Sequence, residues 1–136
     1  MTRHARCVAI AAGLGLLVGC ASFDNIKQER GEGIKRTFSR PYDEVFMAAM
    51  SAAVKKKLTI VNSDRVSGTI LLSNSASLSS PGGEHIAMFV NRLKDSATSV
   101  EVLARPVISR VSFPPDWPEL LFGEIEESLS EQRLSH

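Results

Sequence analysis

The sequence predicts an α+β domain: an antiparallel sheet of four to five strands with two helices packed on one face, in the order β-α-β-β-β-β-α. Three observations predict it. Apolar residues recur at three- and four-residue spacing between Tyr42 and Ala53 and again between Trp117 and Leu129, the period of a helix with one buried stripe. Four short β-rich runs lie between them, separated by turn signals close enough to require antiparallel pairing. Each helix has only one apolar stripe, so both are expected on the same side of the sheet.

The elements follow in order along the chain. Ile34 to Ser39 alternates Ile34, Arg36 and Phe38 with Lys35 and Thr37 and reads as a short strand. Ser39-Arg40-Pro41 then opens a helix, with Ser39 expected to cap free N–H groups and Pro41 tolerated in the first turn. Asp43 and Glu44 suit the positive end of the helix dipole, and Lys55-Lys56-Lys57 suit the negative end. Tyr42, Val45, Phe46, Ala49, Met50 and Ala53 form the stripe. Leu58 to Val61 is β-rich and is closed by the turn signal Asn62-Ser63-Asp64. Val66 to Ser73 is the next β segment, with Gly68 expected to mark a bulge. Residues 74–83, NSASLSSPGG, read as a serine-rich loop. His85 to Leu93 is the next strand, Lys94-Asp95-Ser96 a turn, and Ser99 to Val107 the last strand, with Pro106 placing its end near a sheet edge. Ile108 to Pro115 is a loop. Asp116-Trp117-Pro118-Glu119 resembles a capping box, and Trp117, Leu120, Leu121, Ile125 and Leu129 share one face of the terminal helix. There is no internal repeat.

Composition bounds the function. With 136 residues, 43% hydrophobic and 23% charged, one ordinary globular domain is expected. The net charge is +1, and near neutrality gives no reason to expect nucleic acid as a partner. Of the two cysteines, Cys7 and Cys20, one lies deep in the N-terminal segment, and a lone thiol left in an exported chain demands an explanation.

The first twenty residues supply one. Arg3, Arg6 and the amino terminus make a positive start, followed by 12 uncharged residues from Cys7 to Val18. That run fits the apolar region of a signal peptide and falls short of the roughly 20 residues that span a bilayer. Gly13, Gly15 and Gly19 weaken a buried core helix there by about 1 kcal/mol each relative to alanine. Leu17-Val18-Gly19-Cys20 resembles the lipobox of bacterial lipoproteins at all four positions. The resemblance implies cleavage between Gly19 and Cys20 and a diacylglyceryl group on the Cys20 thiol. Loss of Arg3 and Arg6 with the leader would leave 14 basic and 15 acidic side chains. In Gram-negative lipoproteins an aspartate after the cysteine favours inner-membrane retention. Ala21 does not match that signal, so the resemblance implies the periplasmic face of the outer membrane. Two or three acyl chains on one cysteine anchor firmly where one chain binds only marginally.

The domain organisation is therefore 1–19 leader, 20–33 acylated cysteine and flexible tether, and 34–136 a single α+β domain. Phe23 and Ile26 leave a second possibility open, that this segment packs on the domain or touches the membrane interface. A chain starting near Gly33 is expected to fold as a soluble monomer. The element order resembles the small α+β domains of periplasmic lipoproteins, including accessory subunits of the outer-membrane protein assembly machinery. That resemblance spans about 100 residues and carries no binding residue with it.

Chemistry is sparse. His85 and His136 are the only histidines beyond the leader, too few and too scattered for the three or four ligands of a zinc site. The serines of 63–80 lack a Gly-x-Ser-x-Gly turn, although His85 is within sequence reach of Ser79 and Ser80. Asp43-Glu44 and Glu126-Glu127 are adjacent pairs that diverge on a helix and suit capping and solubility. Pro81-Gly82-Gly83 lacks the lysine and helix start of a phosphate loop. Lys55-Lys56-Lys57 reads as a solvated helix end or as a contact for an anionic surface. Two segments stand as interaction candidates: the loop with Ser79, Pro81, Gly82 and Gly83, and the aromatic–proline segment with Phe113 and Trp117, which alternatively closes the core. The sequence thus points to a membrane-anchored periplasmic lipoprotein, not an enzyme and without cofactor or metal. Its expected partners are the bilayer, through acylated Cys20, and another envelope protein, for which it acts as scaffold, adaptor or assembly partner. The alternative is a module binding a small molecule or peptide.

Overall fold

The computed structural model describes residues 21–94, 96–108 and 112–135. The expected leader, its cleavage point at Gly19 and Cys20, and His136 lie outside the described residues. The elements are α1 (Ala21–Gln28), β1 (Ile34–Phe38), α2 (Tyr42–Lys55), β2 (Thr59–Asp64), β3 (Thr69–Asn74), β4 (Glu84–Arg92), β5 (Thr98–Pro106) and α3 (Trp117–Leu134). All five strands join one antiparallel sheet in the order β1-β5-β4-β3-β2. From β1 onward this is the predicted order, with α2 and α3 on one face.

That face holds the main core. Ile70 and Leu72 of β3, Ile86, Met88 and Val90 of β4, and Val100 and Val102 of β5 point to it. Val45, Ala48, Ala49, Ala52 and Ala53 of α2 and Leu121, Phe122, Ile125 and Leu129 of α3 meet them. The small alanine side chains let α2 lie close to the sheet and to α3. The stripe of α3 is rotated from the expected one. Leu120 is exposed, whereas Phe122 is buried, 6.4 Å from Phe38 with the Arg36 guanidinium over its ring.

The start of α2 differs from the expected cap. Pro41 occupies the N-cap position and no side chain caps the helix, which begins at Tyr42. A residue before proline is driven out of the helical region. Arg40 therefore cannot join the helix, and Ser39 lies too far upstream to reach its first N–H groups. The other end closes tightly: Leu58 N–H reaches the Ala53 carbonyl at 3.0 Å and Lys57 N–H the Val54 carbonyl at 2.9 Å. This is a Schellman motif with Lys57 in the left-handed conformation, φ 58°.

Gly68 marks a turn, not a bulge. It has φ +71°, and a Cβ there would stand 2.0 Å from the Val90 carbonyl, whose own N–H donates to the Gly68 oxygen at 2.7 Å. The bulge lies instead in the edge strand β2, where the register slips between Ile60 and Asn62 and leaves Val61 unmatched. β5 is an inner strand, but β1 pairs only as far as Val102, so Pro106 sits where one side of β5 is bare.

The reverse face of the sheet is also apolar. Leu71, Ala87, Phe89 and Leu103 form a second cluster, and α1 covers it with Ile26, 1% exposed, and Phe23. The segment read as a flexible tether is thus a docked helix followed by a turn, the alternative that Phe23 and Ile26 had left open. The signal was present in the strands: Ile70-Leu71-Leu72 and Ile86 to Val90 are unbroken apolar runs, the pattern of strands covered on both faces.

Candidate functional site

α1 begins at Ala21 and is held against the sheet at both of its ends. Phe23, in its first turn, stacks on the His85 ring with centroids 4.0 Å apart. His85 is the second residue of β4, opposite Arg105 of β5 and Ser73 of β3. Burial against this stack holds the His85 pKa below its ordinary value. At the other end of α1, Arg30 lies over the Phe89 ring at 4.9 Å and donates to Asn91 Oδ1 and, at 3.3 Å, to the Ser67 carbonyl. α1 therefore runs parallel to β4, its N-terminus at the end of the sheet where β3 leaves for β4 and β5 leaves for α3.

The turn after α1 is fixed by one carboxylate. Glu101 is 2% exposed on the covered reverse face, and its Oε1 accepts from Gly31 N–H at 2.6 Å and Gly33 N–H at 2.9 Å. Gly33 has no room for a side chain, since a Cβ would lie 2.6 Å from the Val102 carbonyl. Arg105 pairs with Glu29 at 2.6 Å on the flank. Sequence reasoning missed the role of Glu101, since it stands in β5 between Val100 and Val102, which face the main core. Its clue was Leu103, two residues on and on the same face.

The two predicted interaction segments meet at the N-terminal end of α1. Phe113 N–H donates to the Ser79 carbonyl at 2.6 Å, Val107 N–H donates to the Gly83 carbonyl at 3.0 Å, and Gly82 lies against Val107 and Ile108. The 74–83 loop is folded on itself, with Ser80 buried and donating to the Gly83 carbonyl. Ser79 and Pro81 are exposed and Gly83 is buried. Phe113 is 81% exposed, while Trp117 is 5% exposed and closes the core beside α2 and α3. Sequence reasoning missed the remaining apolar residues of this end, Leu78, Val107 and Ile108, all exposed. Apolar residues standing in serine- and proline-rich loops were the available signal.

No serine hydroxyl hydrogen-bonds His85 among the described residues. Asp43 pairs with Arg65 at 2.7 Å and Glu44 with Arg40 at 3.0 Å, so these neighbouring carboxylates point apart. Asp116 Oδ1 accepts from Glu119 N–H at 3.3 Å, the expected cap of α3. Lys56 pairs with Glu124 at 2.9 Å, which holds that carboxyl below its ordinary pKa, and Lys55 reaches Glu131 at 3.5 Å. Lys57 is exposed. Among the described residues no group of three histidine, cysteine or acidic side chains is placed to hold a metal, and no helix is long and apolar enough to cross a membrane. Two clefts among the described residues are open grooves. One of about 390 Å³ lies between β1 and α3, lined by Phe38, Arg40, Glu126, Leu129 and Arg133, and one of about 290 Å³ lies beside Gly33, Leu103 and Pro115.

No family model matches the chain, and no curated protein matches it. Among solved structures it is similar to the di-domain ARO/CYC StfQ from the steffimycin biosynthetic pathway, with TM-score 0.49 and 11% identity over 72% of this chain. The chain spans 42% of the length of that protein. Against this likeness the exclusion of an enzyme made from the sequence is withdrawn. At this TM-score and identity the likeness assigns this chain no family, reaction or substrate.

Proposed function

We propose that the chain is an acylated envelope lipoprotein, anchored through Cys20 at the periplasmic face of the outer membrane, where it serves as scaffold or adaptor for another envelope protein. The observation that carries this reading is the docking of α1. The helix starts at Ala21, directly after the residue that the leader and Leu17-Val18-Gly19 mark for acylation, and it is fastened to the sheet by Ile26 and by the Glu101 turn. The anchor thereby sets the pose of the whole domain, a property useful to a protein that presents a surface. The open clefts between β1 and α3 and beside Gly33 favour presentation of a surface over enclosure of a small ligand.

Two measurements test the reading. Mass spectrometry of the processed chain should find Cys20 first and its sulfur acylated, and Cys20→Ser should accumulate as uncleaved precursor. Crosslinking in the intact envelope should then capture a defined protein from the acylated chain. An unmodified sulfur, or a different first residue, overturns the anchor.

A further inference from the structure

We infer that the sheet end carrying the N-terminus of α1 seats directly in the bilayer interface, with Leu78, Val107, Ile108 and Phe113 entering the boundary between headgroups and acyl chains. The inference rests on the lipid-anchor reading and deepens it, from where the chain is attached to which surface meets the lipid.

Phe23 on His85 fixes the position of residue 21 at this end of the domain. The acyl chains would thus leave the protein beside the two loops, not at the end of a slack tether. At that place Leu78 is 103% exposed and Phe113 projects with it, linked through the Phe113–Ser79 hydrogen bond. Val107 and Ile108 flank Gly82 in the same patch. Residues 74–83 and 106–115 include no acid, so no negative charge of these loops opposes approach to anionic lipid. A basic side chain stands at the same end: β2 begins at Thr59, opposite Ser73, which is opposite His85, and the exposed Lys57 precedes Thr59 by two residues. Apolar side chains in the interfacial layer with lysine near the headgroups are the composition that binds a membrane surface without crossing it. Exposed apolar loops would be a liability in water. Beside a covalent lipid they become a second point of attachment.

The test uses the acylated mature chain in vesicles of phosphatidylethanolamine with a minor share of phosphatidylglycerol. With Cys7 lost and Cys20 acylated, a single new cysteine takes an environment-sensitive fluorophore. Leu78→Cys and Phe113→Cys are the reporters, and Val66→Cys, exposed in the turn at the opposite end of the sheet, is the control. The labels at 78 and 113 should shift to the blue and be quenched by brominated lipid several-fold more than the label at 66. Circular dichroism checks that each variant is folded. Equal exposure at all three positions on an acylated, vesicle-bound chain overturns this inference and leaves the anchor standing. An unacylated mature chain overturns both.

Discussion

Two residues stand in places that cost or contribute a definite amount. Lys57 holds the left-handed position of the Schellman motif that ends α2, where glycine has no Cβ penalty. Lys57→Gly should raise stability by about 0.5–1 kcal/mol, read from chemical denaturation, provided the backbone keeps its hydrogen bonds. Glu101 is the opposite case. Its one carboxylate oxygen satisfies two backbone N–H groups on a face covered by α1. Glu101→Ala should cost about 1–3 kcal/mol by leaving those donors without a partner, and amide exchange at Gly31 and Gly33 should accelerate. An unchanged midpoint would show that water replaces the carboxylate freely. Neither role is legible from residue type. A glutamate in an alternating strand looks solvated, and a lysine at a helix end looks like a partner of the dipole.

At the scale of elements, the legible parts were those whose pattern is set by one face. The strands and the two long helices are written in their apolar spacing, because one side of each must meet the core. α1 was not legible as a helix, since eight residues do not hold a helix by themselves. It forms through docking, and docking is dictated by Leu71, Ala87, Phe89 and Leu103, which lie 40 to 80 residues away in sequence. The same separation hid the meeting of the 74–83 and 107–113 segments. The sequence reads 74–83 and 108–115 as loops and Val107 as the end of a strand, and only the β4–β5 register brings Gly83 beside Val107. The α1 contact should respond to pH. Burial lowers the His85 pKa from its ordinary 6.5, so the unfolded chain takes up the proton more readily than the docked one. The stabilisation by the neutral ring is complete above that ordinary value and is lost as pH falls through the lowered one. Corrected for the intrinsic pH dependence of exchange, the protection of the amides along residues 21–28 should fall on acidification across this window, and His85→Phe should flatten the response. A pH-independent protection factor in the parent chain would count against the Phe23–His85 stack as a fastening point.

For the molecule as a whole, the sheet is the middle of three layers, and the thin third layer is the N-terminal segment. A chain beginning at Gly33 would leave Leu71, Ala87, Phe89 and Leu103 uncovered. Contrary to the expectation from sequence, it should self-associate, whereas a chain beginning at Ala21 should remain monomeric. Light scattering on the two decides it, and a monodisperse short chain with an undiminished melting temperature would show that α1 is dispensable. Polarity alone places the boundary between tether and domain at Gly33, and the segment is polar because only Phe23 and Ile26 of α1 turn inward.

If the chain is anchored as proposed, the bulge at Val61 bears on life at a crowded surface. Proteins confined to two dimensions collide far more often than the same proteins in free solution, and a straight bare margin of backbone would recruit its own kind into ribbons. β2 puts its ladder out of step at its middle, so an incoming neighbour finds no run of evenly spaced donors and acceptors to copy. On the proposed anchor, density at the membrane can therefore rise without polymerisation.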